Sequence, residues 1–320
     1  MLKKLSVAAV AATVMLGSLP AFAEPLKVVA SFSILGDMVR EIGGDAVSVT
    51  TLVGPDGDAH VYQPTPSDAQ AVAGAEMVIL NGLGFEPWSE RLLSASGTKA
   101  AVVTASHGVT PREMADEDDD HAKHDDHAKH DDHAKHEDHH HHGNTDPHAW
   151  QDLKNGQMYV ATIAKALEAA RPAEASAIAA RAESYRARLE TLDGWVRSEL
   201  ASIPAAQRKL ITSHDAFGYF GAAYGVEFLA PMGLSTEAEP TPKDVARLVK
   251  QMKAEKVRAV FLENMSDPRL VKQLAKDAKG VVGGTLYADA LSAADGPAAT
   301  YEAMFRSNVK ALKDTLLAGH

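Results

Sequence analysis

The chain has 320 residues, a formal net charge of −11 and no cysteine. This length is ample for one large domain or two smaller ones with a substantial core. The acidic balance argues against a nucleic-acid partner, which would require a basic stripe. The absence of cysteine excludes disulfides, thiolate metal ligands and lipid attachment at a cysteine, so we expect a free periplasmic protein rather than a lipoprotein.

Residues 1–23 have the pattern of a cleavable secretory signal peptide. Two lysines precede an apolar run over residues 5–19, and Ala21-Phe22-Ala23 fits a cleavage site. The apolar run is short for a membrane-spanning helix, which needs about 20 residues. We therefore expect export to the periplasm and a mature chain that begins at Glu24.

Residues 26–104 alternate between predicted strands and helices, which indicates a parallel α/β organisation. Gly43-Gly44 marks a helix end, and Pro66 marks a helix start. The predicted strands are Leu26–Phe32, Val47–Val53, Met77–Leu80 and Ala101–Thr104. The predicted helices are Ser33–Ile42, one that starts at Thr65, and Glu86–Leu93.

A charged, histidine-rich insert follows at residues 116–142. The hexamer His-Ala-Lys-His-Asp-Asp starts at residue 121, recurs at 127 and returns with one change at 133. The insert lacks large apolar side chains, so we expect disorder without metal and weak metal capture. The alternative is a solvated acidic segment with incidental histidines. The candidate weak ligands are His121, His124, His127, His130, His133, His136, His139, His140, His141 and His142.

A long helical pattern covers residues 172–203, after a shorter predicted helix that ends near Ala170. Apolar residues recur at helical spacing, and Pro204 ends the pattern. A helix of this length spans about 45 Å. It predicts a rigid connection between an N-terminal lobe, residues 24–171, and a C-terminal lobe, residues 204–320.

The second lobe repeats the α/β alternation. Its predicted strands are Lys209–Thr212, Ala259–Glu263 and Gly283–Leu286. Its predicted helices are Ala216–Tyr224, Pro242–Ala254, Pro268–Lys279 and Tyr301–Leu317. The sequence thus predicts an α/β fold of two lobes with mainly parallel sheets, one long linking helix and a metal site in the cleft between the lobes.

Four candidate ligands follow predicted strands or sit in rigid turns: His60, His148, His214 and Asp289. Ligands of open α/β sheets collect at the carboxyl ends of strands, so these four side chains can converge. Three imidazoles and one carboxylate suit Zn²⁺, whereas Mn²⁺ and Mg²⁺ favour oxygen. A fourth protein ligand closes the site, as binding or structural zinc requires. Each histidine should donate its other N–H to a carbonyl or carboxylate, and Asp146 and Asp215 are nearby candidates.

Each of these residues alone has a simpler explanation. A single histidine at a strand end is commonly structural or solvated, and Asp289 could cap a helix. His107 borders the insert without a supporting motif, and His320 is terminal. We do not assign either of these two histidines to the fixed site.

Taken together, four stretches resemble the periplasmic zinc-binding proteins of ABC importers, the cluster A-I (cluster 9) solute-binding proteins. They are residues 58–68, 146–150, 212–220 and 286–291, and the resemblance covers essentially the whole mature chain. It implies that the four candidate residues are metal ligands between two lobes joined by one long helix. A family member with glutamate at the third ligand position resembles the manganese proteins. A member with histidine at that position, as this chain has at His214, resembles the zinc proteins. The charged loop also resembles zinc members, although the cysteine pair that some zinc members carry is absent.

We therefore expect a zinc-specific solute-binding protein, not an enzyme, that delivers Zn²⁺ to an inner-membrane ABC permease. We expect a monomer, and a separate periplasmic zinc chaperone is a further candidate partner. The alternatives are a manganese or mixed-metal transporter component, a periplasmic zinc buffer that binds mainly through the insert, and an exported metallohydrolase. The hydrolase would need an open metal position and a general base, and the sequence has no HExxH or comparable motif.

Overall fold

The computed structural model describes residues 24–113 and 145–318. The predicted signal peptide, the histidine-rich insert with its ten candidate ligands, and His320 lie outside the described residues. Within the two described ranges, no helix is long and apolar enough to cross a membrane.

The N-terminal lobe is built on a four-stranded parallel sheet. Its strands are β1 (Leu26–Phe32), β2 (Val47–Val53), β3 (Met77–Leu80) and β4 (Ala101–Thr104), in the order β2-β1-β3-β4. Its helices are α1 (Ser33–Gly43), α2 (Pro66–Ala73), α3 (Ser89–Ser96) and α4 (Leu153–Ala170). The inner strand β1 is buried at every position except Lys27, as expected for a parallel sheet covered on both faces.

The C-terminal lobe contains a second four-stranded parallel sheet. Its strands are β7 (Lys209–Ile211), β8 (Glu227–Leu229), β9 (Ala259–Glu263) and β10 (Val281–Leu286), in the order β10-β9-β7-β8. Its helices are α6 (Gly218–Tyr224), α7 (Pro242–Glu255), α8 (Pro268–Ala278) and α9 (Tyr301–Leu316). The two sheets confirm the predicted α/β fold of two parallel lobes.

Helix α5 (Ala175–Ala201) links the two lobes. It packs against α1 and α4 of the N-terminal lobe and against α9 of the C-terminal lobe. Arg188 of α5 pairs with Glu41 of α1 at 2.6 Å and with Glu302 of α9 at 2.9 Å. One hydrophobic core extends through both lobes, which makes the connection stiff.

Some elements differ from the predictions. Two short strands that were not predicted, β5 (Arg112–Glu113) and β6 (Thr145–Asp146), form an antiparallel ribbon on either side of the insert. Strand β8, which was also not predicted, lies at the edge of the second sheet beside β7. These pieces have two or three residues each, too few to show a sequence period. Helix α3 begins at Ser89 rather than Glu86, and the Glu86 carboxylate accepts the backbone N–H groups of Asn81 and Gly82. Helix α5 begins at Ala175, after a turn at residues 172–174.

Candidate metal centre

The structure brings His60, His148, His214 and Asp289 together in the cleft between the lobes. One potential ligand atom from each residue lies within 4.8 Å of the others, and all four residues are buried. The N-terminal lobe supplies His60 from the loop after β2 and His148 from the turn after β6. The C-terminal lobe supplies the other two after β7 and β10. The carboxyl ends of strands from both lobes therefore build one site.

The ligand atoms are spaced as they would be around a small ion. His60 Nε2 lies 3.3 Å from both Asp289 Oδ2 and His148 Nε2. His214 Nε2 lies 3.0 Å from Asp289 Oδ2, and His148 Nε2 lies 3.6 Å from Asp289 Oδ1. A tetrahedral ion with bonds of about 2.0–2.1 Å separates its ligand atoms by about 3.3 Å. These four spacings lie on either side of that value, and they involve both oxygens of Asp289.

Several of these atoms are buried without a hydrogen bond. Both carboxylate oxygens of Asp289 and Nε2 of His214 lack a hydrogen-bond partner among the described residues. His214 Nε2 lies 3.0 Å from Asp289 Oδ2, which is within ion-pair distance. Buried polar groups are normally paired, so this convergence on a common point indicates a cation.

Two of the histidines have carboxylate partners on the side away from the cleft. His148 Nδ1 donates to Asp146 Oδ1 at 2.8 Å, and His214 Nδ1 donates to Glu263 Oε2 at 2.5 Å. In the neutral rings these bonds place the proton on Nδ1, so that Nε2 is the nitrogen that faces the cleft and can bind a metal. Asp146 was an expected partner, but Asp215 does not contact either ring nitrogen of His214 in the described hydrogen bonds.

Glu263 takes the role considered for Asp215. It ends β9, and β9 pairs with β7, which carries the chain toward His214. Its Oε1 also accepts the backbone N–H groups of Ser213 and His214. The Glu263 carboxylate therefore holds both the backbone after β7 and the imidazole ring of His214. A glutamate at the end of a predicted strand was the available signal, but the sequence did not show which strand lies beside it.

Aromatic rings form the wall behind the N-terminal ligands. Phe85 packs against His60 and His148, with ring centroids 4.8 and 6.0 Å apart. Trp150 lies 5.3 Å from His148, and its Nε1 donates to the carbonyl oxygen of Ala288 at 3.0 Å. That carbonyl immediately precedes Asp289, so an N-terminal side chain holds the C-terminal ligand segment. No sequence pattern predicted this role for Phe85 or Trp150.

The site contains an unequal distribution of charge. Burial lowers the pKa of His214, but the carboxylates of Glu263 and Asp289 outweigh it and raise the pKa well above its usual value. Burial raises the pKa of Asp289, but charge on His214 and His148 holds it well below its usual value. Burial lowers the pKa of His60. A metal ion that binds here must therefore displace the proton of His214.

Comparisons with known proteins place this geometry in context. A family model described as "ZnuA: Zinc-uptake complex component A periplasmic" matches residues 28–315. The chain is 33% identical over 297 residues to the manganese-binding lipoprotein MntA of Halalkalibacterium halodurans, covering 92% of this chain and 89% of that protein. It is 31% identical over 298 residues to the iron-binding protein YfeA of Yersinia pestis, covering 93% and 87%. The structure of the periplasmic zinc binding protein TroA from Treponema pallidum is similar, with a TM-score of 0.80 and 28% identity, covering 92% of this chain and 99% of TroA.

Proposed function

The chain belongs to the family of periplasmic zinc-uptake complex component A proteins, and on that premise we propose that it is a zinc-specific carrier. Proteins of this family are the substrate-binding components of ABC importers and work outside the cytoplasm with a membrane permease and an ATPase. They are not enzymes, so the metallohydrolase alternative is set aside. We propose that His60, His148, His214 and Asp289 bind the transported Zn²⁺.

One observation carries the zinc assignment: three imidazole nitrogens and one carboxylate converge in a buried site with ligand atoms within 4.8 Å of one another. Nitrogen-rich tetrahedral sites suit Zn²⁺, whereas Mn²⁺ is usually held by more oxygen ligands. Four protein ligands also fill a tetrahedral ion, which favours binding over catalysis. The metal is the cargo, and its charge offsets the buried Asp289 carboxylate.

Manganese or iron is the second candidate, because two of the similar proteins are named for these metals. One feature of the site supports it. Neither oxygen of Asp289 has a hydrogen bond in the part of the chain that the structure describes, so bidentate binding would provide five ligand atoms, which suits a larger ion. The intrinsic order of divalent affinities opposes it, because nitrogen sites generally bind Mn²⁺ and Fe²⁺ more weakly than Zn²⁺.

The decisive experiment is a calorimetric zinc titration, with a competing chelator, of the chain from Glu24 onward. We expect one tight site in the parent and a loss of more than about 100-fold in His214→Ala, beyond the range typical of changes around the ligands. His107→Ala is the matched control, because His107 is exposed and outside the cleft. Repeating the titration with Mn²⁺ and Fe²⁺ tests the second candidate. Unchanged affinity in His214→Ala would contradict the four-ligand site, and tighter Mn²⁺ or Fe²⁺ binding would contradict zinc specificity.

We also propose that the histidine-rich insert, residues 116–142, captures metal weakly before it reaches the cleft. Its ten histidines and repeated spacing support this role. Deleting the insert should remove weak zinc sites and leave the tight site within about threefold of the parent, since no proposed cleft ligand lies in it. Loss of tight binding on deletion would favour the buffer alternative. A zinc chaperone and a monomeric state remain predictions.

A further inference from the structure

The β5–β6 ribbon connects the ends of the insert to the metal centre. Arg112 pairs with Asp146 in antiparallel register, and Glu113 pairs with Thr145. Asp146 lies two residues before His148 and accepts two hydrogen bonds from it, from the ring Nδ1 and from the backbone N–H. A displacement of β6 would therefore move the support of a proposed ligand directly.

A tyrosine of the opposite lobe ties the two strands of this ribbon together. The Tyr219 hydroxyl of α6 accepts the backbone N–H of Arg112 at 2.8 Å and donates to the backbone carbonyl of Asp146 at 3.2 Å. Tyr219 is buried, so these bonds are shielded from competing water. One hydroxyl thus joins both strands to the C-terminal lobe.

The remaining support for Asp146 is weaker. Its Oδ2 is buried and has no hydrogen-bond partner among the described residues, and Arg112 Nε lies 3.8 Å away. Helix α6 also approaches closely at Gly218, where an added Cβ would lie 2.5 Å from Asp146 Oδ2 and 2.8 Å from Arg112 Nε. Apart from the two hydrogen bonds from His148 itself, the position of the Asp146 carboxylate therefore depends on its backbone, and Tyr219 bonds that backbone.

We infer that Tyr219 is a positioning residue for His148, acting through Asp146, and that it couples the C-terminal lobe and the base of the insert to the metal site. This inference rests on the proposed function. Without the hydroxyl, the Arg112 N–H and the Asp146 carbonyl lose a shared partner, and the ribbon can shift. A shifted Asp146 would rotate the His148 ring away from the orientation that a tetrahedral ion requires.

The test compares Tyr219→Phe with Tyr224→Phe. Both tyrosines lie on α6 and are buried, and both hydroxyls accept a backbone N–H of the N-terminal lobe. Tyr224, however, bonds Leu153 and Asp193 and has no bond to the ribbon. We expect zinc release into excess chelator to be about tenfold faster in Tyr219→Phe and unchanged in Tyr224→Phe. Equal release rates in both variants and the parent would overturn the inference.

A second readout separates positioning from general destabilisation. Both variants lose hydrogen bonds of one hydroxyl, so their melting temperatures should fall by similar amounts. The visible absorption of bound Co²⁺, which reports ligand geometry, should change only in Tyr219→Phe. A spectrum identical to that of the parent would count against a role in positioning His148.

Gly218→Ala keeps the proposal testable if Tyr219→Phe does not fold. Its methyl group would press on Asp146 and Arg112 while leaving the tyrosine in place, and alanine favours a helix more than glycine does. We expect faster zinc release than in Gly194→Ala, where nothing lies within 4 Å of the added carbon. Release rates equal in these two variants would overturn the inference. If the parent itself lacks a tight site that His214→Ala removes, the proposed function fails and the inference fails with it.

Discussion

The two lobes contribute two candidate ligands each, but they hold them in different ways. In the C-terminal lobe, His214 lies between the carboxylates of Glu263 and Asp289, and all three residues are buried. In the N-terminal lobe, His60 and His148 lie against aromatic rings. The C-terminal half places two carboxylates around one histidine, whereas in the N-terminal half one carboxylate, Asp146, supports His148 and aromatic rings form the wall.

A carrier site must attract a cation and must also surround it with ligands in the correct geometry, and the two lobes differ in what they contribute to each requirement. The C-terminal carboxylates attract a cation and hold a proton that the cation must displace. The N-terminal histidines complete the coordination geometry. His60 is further distinguished because its ring has no carboxylate partner at Nδ1 in the described hydrogen bonds, while its backbone N–H donates to Asp58 Oδ1 at 2.9 Å.

The largest expected effect in this comparison comes from the two supporting carboxylates. Glu263→Gln should weaken zinc binding by about 10–100-fold and Asp146→Asn by about tenfold, the range for partners that orient metal ligands. Glu263 should matter more, because it bonds the ring of His214 and two backbone N–H groups and also supplies charge. Titrations of both variants with a competing chelator measure this. Equal losses would show that the two halves are equivalent.

The second expected effect is the pH dependence of zinc binding. The raised pKa of His214 means that its proton must leave over a range above pH 6.5, so affinity should rise with pH through neutrality by up to about tenfold per unit. The pKa of His60 is lowered, so its ring is already neutral in that range and adds little to the pH dependence of zinc affinity. Calorimetry in buffers of different ionisation enthalpy counts the released protons.

The control for this pH effect is Glu263→Gln. Without that carboxylate, the pKa of His214 should fall, and the rise in affinity should move to lower pH. An affinity that is flat between pH 6 and 8 in the parent would contradict the assigned role of His214.

Particular residues show how far the sequence could predict this molecule. The strand ends that carry His60, His214 and Asp289 could be predicted, because buried strands have a clear apolar pattern and glycine or proline marks the turns. The partnership of Glu263 with His214 could not, because it depends on β9 lying beside β7 in the sheet order. The same applies to Tyr219, whose contacts join residues 107 and 73 positions apart in the chain.

The smallest effect on zinc should come from a junction of the lobes away from the cleft. Asp37 of α1 accepts the backbone N–H of Tyr301, the first residue of α9, at 2.8 Å. Burial raises the pKa of Asp37 to about 6. Since the folded state holds this proton more tightly than the unfolded state, the carboxylate costs stability above pH 6, and the cost disappears as the pH falls toward 4.

Asp37→Asn should therefore raise the free energy of unfolding at pH 7–8 by an amount on the order of 2 kcal/mol, because an amide can still accept the Tyr301 N–H without a buried charge. Denaturant titrations at pH 8 and pH 4 should show this gain at the higher pH and little difference at the lower. Zinc affinity should stay within about twofold of the parent, because Asp37 contacts no proposed ligand and distant sites act independently. A large change in affinity would mean that the junction of α1 and α9 controls the cleft, and that the two halves of the metal site cannot be treated as separate.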